Sequence, residues 1–155
     1  MSTLPTIQCI PKKGPHNKWF DCQAVIRTKT LYESQFGKEL PVTKRLIRDL
    51  NIKYLLYIEQ NTTTVAASMV TQSMPSLYLV KGIAVDPLFQ RRGYATALIH
   101  KIEATLPNHS TLQLGVDKGK ENTEWLVEWY SKLGYEYWDS TEYEIYLEKY
   151  IERDE

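Results

Sequence analysis

The sequence predicts one α+β domain, a single mixed sheet of about seven strands with four helices on its two faces. Two observations carry this. Apolar residues recur at two-residue spacing in seven short runs and at three- and four-residue spacing in four longer ones, in the order β-α-α-β-β-β-α-β-α-β-β. No linker, internal repeat or low-complexity tract interrupts the 155 residues, a length usual for one domain.

The elements follow in order. Thr6 to Ile10 is a short β-like run closed by Pro11 and Gly14-Pro15. Asn17 can cap a helix running to about Glu33, with Trp19, Cys22 and Ile26 on one face and Gly37 as its stop. Pro41 suits a first helical position, after which Val42, Leu46 and Leu50 repeat at four. Tyr54 to Glu59 and Thr64 to Thr71 read as a hairpin around Gln60-Asn61-Thr62-Thr63. Ser73 to Ser76 is a turn, and Leu77 to Asp86 is the fourth strand, interrupted by Gly82. A glycine inside a strand marks a bulge or the close approach of another backbone or ligand. From Gly93 the period turns helical, with Ala95, Leu98, Ile99, Ile102 and Leu106 in one stripe before Pro107-Asn108. Thr111 to Val116 is a strand. Asn122 or Thr123 can cap a helix that places Leu126, Tyr130 and Leu133 on one face and ends at Gly134. Tyr135 to Asp139 and Tyr143 to Tyr150 are aromatic-rich strands joined by a polar turn.

Composition narrows the function. Lys plus Arg equals Asp plus Glu at 19 each, so the basic excess of a bulk nucleic-acid binder is missing. No apolar run approaches the roughly 18–20 residues that cross a bilayer, and Met1 to Lys13 lacks the order of a secretory signal. Two cysteines, Cys9 and Cys22, make neither a disulfide framework nor a zinc site by themselves. The expectations are a cytoplasmic protein with no metal and neither nucleic acid nor membrane as partner. Charge is uneven along the chain. Residues 1–53 carry a net +6 and residues 135–155 a net −6, a field able to steer a charged ligand. A solvated acidic end explains the same residues.

Ile83-Ala84-Val85-Asp86-Pro87-Leu88-Phe89-Gln90-Arg91-Arg92-Gly93-Tyr94-Ala95 carries the chemistry. A strand ends, a short basic loop follows, and a helix begins at a glycine. The first N–H groups of a helix have no internal acceptor and point outward with the positive end of the dipole, which suits an anion. Gly93 admits a close approach, and the guanidinium groups of Arg91 and Arg92 suit phosphate oxygens. A basic helix start without a ligand fits equally well. Neither the P-loop pattern nor the Gly-x-Gly-x-x-Gly turn is present.

Gln90-Arg91-Arg92-Gly93-Tyr94-Ala95 resembles the Gln/Arg-x-x-Gly-x-Gly/Ala signature of the GNAT superfamily of N-acetyltransferases. The strand ending Ile83-Ala84-Val85-Asp86-Pro87 is similar to the family's fourth strand. Trp129-Tyr130-Ser131-Lys132-Leu133-Gly134-Tyr135 resembles its later aromatic-Tyr-x-x-x-Gly-aromatic motif. The resemblance covers nearly the whole chain and is strongest from Leu77 to Tyr135. It implies the family's fold, one mixed and mostly antiparallel sheet of about seven strands flanked by four helices, in a single domain over 1–155. It also implies acetyl-CoA as co-substrate and direct acetyl transfer to a primary amine; the acids and the tyrosine from Asp139 to Tyr143 point to a cationic small molecule or a lysine side chain as that amine.

Residue by residue, the resemblance implies that the main chain of Arg91, Arg92, Gly93, Tyr94 and Ala95 binds the pyrophosphate while Gln90 shapes the loop. Ile83, Ala84 and Val85 would border the pantetheine arm, held by backbone groups of Ile83 and Val85 where the fourth and fifth strands splay. Gly82 would be the family's fourth-strand bulge. Tyr130 would be the general acid for the departing thiolate; by residue pattern alone it is a core aromatic. Two departures stand out. Thr123 occupies the place of a family asparagine, so Asn122 either contacts the cofactor or only caps the helix. The fourth strand carries Val80 and Lys81 where many members have a glutamate base, leaving Glu33, Glu39 or Asp117 through water, or an amine arriving neutral.

Other residues read as structural. His100 is expected at the surface or half-buried. His16 and His109 lack ligand spacing, and Trp125 and Trp129 pack four apart on one helix. The family's acceptor site includes the loop between its last two strands, here Asp139 to Tyr143 within the acidic segment. Two rival functions remain at this point: a CoA-binding regulatory or pseudo-enzyme module without turnover, and a module binding peptides along an edge strand. The oligomeric state stays open between monomer and homodimer.

Overall fold

The computed structural model describes residues 6–11, 22–36 and 52–153. Seven strands form one sheet: β1 (Gln8–Pro11), β2 (Ile52–Gln60), β3 (Thr63–Met74), β4 (Leu77–Val85), β5 (Ser110–Asp117), β6 (Glu136–Ser140) and β7 (Glu144–Ile151). The described helices are α1 (Cys22–Phe36), α2 (Tyr94–Thr105) and α3 (Thr123–Lys132), with a 3₁₀ turn at Pro87–Phe89. The sheet order is β1-β2-β3-β4-β5-β7-β6. Every neighbouring pair is antiparallel except β4 and β5. That pair is joined through α2, as a parallel pair requires a crossover. The expected mixed, mostly antiparallel sheet is therefore present. The expected helix from Pro41 and the Asn17 cap lie outside the described residues.

Strand alternation builds a core on each face. On one face Leu56, Ile58, Ala66 and Val70 meet Leu98, Ile99 and Ile102 of α2, with Leu112, Leu114, Val116, Tyr130 and Leu147. On the other, Leu55, Tyr57, Ala67, Met69 and Ala84 meet Leu31 and Tyr32 of α1. Helix α1 runs three residues past the expected end at Glu33, because Leu31 and Tyr32 are buried and no breaker precedes Gly37. The turn after β3 is only Pro75-Ser76, since Met74 still pairs with Leu77. The β2–β3 hairpin turns on Asn61 (φ 50°) and Thr62 (φ 64°), the pair of left-handed residues that a two-residue hairpin needs.

Gly82 is a bulge. Ser68 opposes Ile83 and Met69 opposes Lys81, so Gly82 is the unmatched residue, at φ 78°. Among the described residues a methyl there would meet only Tyr32 Cε1, at 3.5 Å, so the backbone angle rather than crowding calls for glycine. The Tyr32 hydroxyl donates to the Gly82 carbonyl at 3.1 Å, tying α1 to the bulge.

Candidate active site

The sheet opens where β4 and β5 part. Their pairing spans only Leu77–Leu79 against Thr111–Gln113, although β4 runs on to Val85 and β5 to Asp117. The ladder with β3 decides which backbone groups face the opening. The Asp86 N–H donates to the Val65 carbonyl at 2.8 Å, and the register then pairs Ala66 with Val85, Ala67 with Ala84 and Ser68 with Ile83. Antiparallel partners alternate between exchanging hydrogen bonds and pointing their backbone groups away. Asp86 and Ala84 thus use theirs on β3, while Ile83 and Val85 aim theirs into the slot. Ala84 is only 2% exposed, packed under α1 with Tyr32 and Met69. Of the three expected strand residues, two face the slot with their backbone and Ala84 turns away.

The loop at the end of β4 is built by local chemistry. The Asp86 carboxylate accepts from the Leu88 N–H at 2.9 Å and Pro87 starts the 3₁₀ turn. Gln90 Nε2 then donates to the Val85 carbonyl at 3.2 Å, drawing the loop back over the strand end. Arg91 (φ 65°) and Gly93 (φ 80°) are both left-handed, and this kind of winding curls consecutive N–H groups into an anion-binding concavity. Helix α2 makes its first bond from the Ala97 N–H to the Gly93 carbonyl at 2.9 Å. The N–H groups of Tyr94, Ala95 and Thr96 therefore lack an intrahelical acceptor, and Gly93 offers no side chain to them. Beyond its chain neighbours and its own helix, no described residue lies within 4 Å of where a Gly93 methyl would sit. Gln90, Arg91, Arg92 and Gly93 are exposed. These features fit a pyrophosphate. The Arg92 guanidinium rests over the Phe89 ring at 4.8 Å, and that ring stacks with Tyr94 at 6.3 Å; residue pattern alone assigned Phe89 no role.

Tyr130 belongs to the core cluster that also contains Leu114 and Val116 of β5, the cluster against which Ile83 and Val85 of β4 pack. It is 9% exposed, and its hydroxyl has no hydrogen-bond partner among the described residues. Burial pushes the phenol up to about 12, since a phenolate is poorly solvated there. Helix α3 ends in a Schellman motif. Gly134 (φ 100°) donates to the Ser131 carbonyl at 3.0 Å and Tyr135 to the Tyr130 carbonyl at 3.1 Å.

At the other end of α3, Asn122 occupies the cap position but its side chain makes no capping bond. The capping role expected for its side chain is therefore corrected. Thr123 holds this corner instead, accepting from the Lys120 N–H at 3.1 Å and donating to the Asp117 carbonyl at 2.7 Å. Asn122 is left exposed. Among the candidate bases, Asp117 ends β5, Glu33 pairs with Lys29 at 3.4 Å, and Glu39 lies outside the described residues. Val80 is buried in the core. His100 is exposed, and His109 Nδ1 lies 2.9 Å from the Tyr150 hydroxyl. Burial raises the Cys9 thiol, against activation as a nucleophile.

The sheet beyond the slot is acidic and aromatic. Register sets Asp117 opposite Glu144 and Glu136 opposite Glu148. The Tyr146 hydroxyl donates to Glu144 Oε1 at 3.3 Å, and Trp138 packs on Tyr146 at 6.0 Å. Like charges directly opposite on a sheet are unfavourable, and these pairs follow from strand register alone.

Residues 52–137 match the family model described as an acetyltransferase (GNAT) domain. The fold is similar to that of an aminoglycoside 6′-N-acetyltransferase complexed with coenzyme A, with TM-score 0.73 and 13% identity over 97% of this chain and 99% of that one. It is also similar to the aminoglycoside 6′-N-acetyltransferase of Enterococcus faecium, with TM-score 0.66 and 13% identity over 94% and 98%. An IAA acetyltransferase of Bacillus cereus aligns with TM-score 0.64 and 16% identity over 94% and 98%. At these identities the likeness is one of fold. No curated protein matches the chain by sequence. No helix among the described residues is long and apolar enough to cross a membrane.

Proposed function

Because the chain belongs to the GNAT family of acetyltransferases, we propose that it transfers the acetyl group of acetyl-CoA directly to a primary amine, as one domain over residues 1–155, with Tyr130 as the proton donor. The observation that carries this is the early end of β4–β5 pairing at Leu79 and Gln113, with an anion-binding loop at the far end of the same strand.

The N–H groups from Arg91 to Ala95 would hold the pyrophosphate, and the outward backbone groups of Ile83 with the N–H of Val85 the arm, the Val85 carbonyl being engaged by Gln90. Asn122, free of capping duty, is a further contact for that arm. Bound there, acetyl-CoA supplies an activated carbonyl and a thiolate leaving group. The amine nitrogen bonds to the carbonyl carbon, the carbon–sulfur bond breaks, and the sulfur needs a proton. Tyr130 holds its proton at neutral pH. Against an ordinary thiol near 8.5, complete transfer from a phenol near 12 is uphill by roughly 5 kcal/mol. Tyr130 therefore acts first as a hydrogen-bond donor to the charge developing on sulfur. An ammonium acceptor first loses one proton through water toward Asp117, or the amine arrives neutral; in either case the nitrogen sheds one further proton after attack, and through water this balances the proton that the departing sulfur takes up.

The acid pairs Asp117–Glu144 and Glu136–Glu148, with Trp138 and Tyr146 beside them, support a cationic acceptor, a small polyamine-like molecule or a lysine side chain. Two of the similar structures are named as aminoglycoside acetyltransferases, which agrees with that chemistry.

Titration calorimetry with acetyl-CoA, beside an Arg92→Glu control, tests the first half. The expected result is binding that the control loses. An amine panel read by thiol release tests the second. A second reading, a CoA-binding module without turnover, is favoured by the absence of an acid on β4, where Val80 is buried. Binding without amine-stimulated thiol release would establish it.

A further inference from the structure

The Tyr130 hydroxyl makes no hydrogen bond among the described residues, so none of their polar groups fixes the position of its oxygen. The ring itself must be held. Trp129 lies against it at 4.8 Å and 52°, and Tyr135 meets it edge-on at 6.0 Å and 69°. Trp129 is adjacent on the same helix and moves with it. Tyr135 is different, because it is anchored to other elements. Its hydroxyl donates to Glu103 Oε2 of α2 at 2.8 Å. Lys149 of β7 reaches both oxygens of the same carboxylate, at 3.2 and 3.3 Å, and donates to the Leu133 carbonyl at the end of α3 at 2.9 Å. The Lys149 ammonium also lies 5.7 Å from the Tyr135 ring centre. Arg153 fixes the same turn of α2, donating to the Glu103 and Leu106 carbonyls at 2.9 and 2.7 Å.

The phenol–carboxylate bond is charge-assisted and Tyr135 is fully buried, the setting in which such a bond most restricts motion. The Schellman turn closes the chain of constraints, because the Tyr135 N–H is bonded to the Tyr130 carbonyl.

We infer that Tyr135 and Glu103 are positioning residues for acetyl transfer, holding the Tyr130 ring so that its hydroxyl meets the sulfur. This rests on Tyr130 being the proton donor. Misplacing a reacting group by about 1 Å can cost about a hundredfold in rate, and loss of one hydrogen bond in the support displaces the ring by less. Tyr135→Phe, which keeps the ring and removes the bond, should lower kcat about tenfold. The KM for acetyl-CoA should stay within about twofold.

The test compares Tyr130→Phe, Tyr135→Phe and the double variant, with acetyl-CoA and a primary amine that the wild type uses. Positioning through Tyr130 predicts that the double variant is no slower than Tyr130→Phe alone. A full extra tenfold loss in the double variant, or an unchanged kcat in Tyr135→Phe, would overturn the inference. An unchanged kcat in Tyr130→Phe would instead sink the reading beneath it. Glu103 supplies a second route should Tyr135→Phe fold poorly. Glu103→Gln keeps an acceptor oxygen and should recover most of the kcat lost in Glu103→Leu; equal loss in both would count against positioning. Carbon-13 spectra of ring-labelled tyrosine give a readout without turnover, since the Tyr130 resonance should shift in Tyr135→Phe and stay put if the two rings are independent.

Discussion

Gln90 donates its side-chain amide to the carbonyl of Val85 across 3.2 Å, so the loop that faces the anion and the strand end that faces the slot are tied together. An exposed hydrogen bond of this kind contributes about 0.5–1.5 kcal/mol. Gln90→Ala should therefore weaken acetyl-CoA binding by roughly two- to tenfold, with little change in melting temperature. Calorimetry reads this directly, and an unchanged Kd would show that the loop holds its shape without Gln90.

Tyr130→Phe should reduce kcat at least tenfold and leave acetyl-CoA affinity within about twofold. The same variant has a signature in alkali. Burial raises the folded-state phenol to about 12 from the ordinary tyrosine value of about 10. Between those values the unfolded chain loses its proton while the folded chain keeps it. Stability is thus fully present below pH 10 and falls as pH rises toward 12, by up to about 1.4 kcal/mol per unit for this group. Urea titrations at pH 9 and pH 11 should show a shallower loss for Tyr130→Phe than for the wild type.

Gly82→Ala tests the bulge. Space exists for the methyl, but φ 78° disfavours it by about 1–2 kcal/mol. The strand should straighten and shift Ile83 out of register with the slot. A lower melting temperature together with weaker acetyl-CoA binding is expected; lost stability with intact binding would separate the bulge from the cofactor.

Thr62 is β-branched yet left-handed at φ 64°, an uncomfortable combination. Thr62→Gly should stabilise the hairpin by about 1 kcal/mol, raising the melting point by about 2–4 °C. Thermal denaturation with unchanged turnover would confirm that this turn lies outside the chemistry.

Glu136 and Glu148 face one another across β6 and β7. Removing one charge should help the free protein and harm the capture of a polycation. Glu136→Gln is expected to raise stability by a few tenths of a kcal/mol, while the KM for a polycationic amine rises. That KM should also climb with salt in the wild type. A KM indifferent to both the substitution and ionic strength would return these acids to the role of a solvated surface.

How much was legible depended on how far apart the partners lie in the chain. The loop from Gln90 to Ala95 and the bulge at Gly82 announce themselves locally, because a glycine at a strand or helix boundary has few other uses. The succession of strands and helices along the chain followed from period and turn residues. The buried part of α1 that the structure describes is Thr28, Leu31 and Tyr32; the face expected from Trp19, Cys22 and Ile26 rests on side chains outside the described residues. Asn122 looked like a cap by residue type, but Thr123 reaches both Lys120 and Asp117 and leaves it no such task. Tyr135, Glu103 and Lys149 join three elements across gaps of 32 and 46 residues, and like-charge pairs such as Asp117–Glu144 emerge only from register. Periodicity reports which face a residue takes, not which residue it meets there.

The brief seam between Leu77–Leu79 and Thr111–Gln113 gives the sheet the mechanics of two plates riveted at one edge. Each plate has its own lateral ladder, β1 to β4 on one side and β5, β7 and β6 on the other, so bending concentrates at the seam. A guest that bonds to Ile83 and Val85 adds rivets where the row stops. Occupancy then stiffens the whole sheet, and a protease or a thermal fluctuation that pries the plates apart meets more resistance when the gap is filled than the seam and the shared core supply alone.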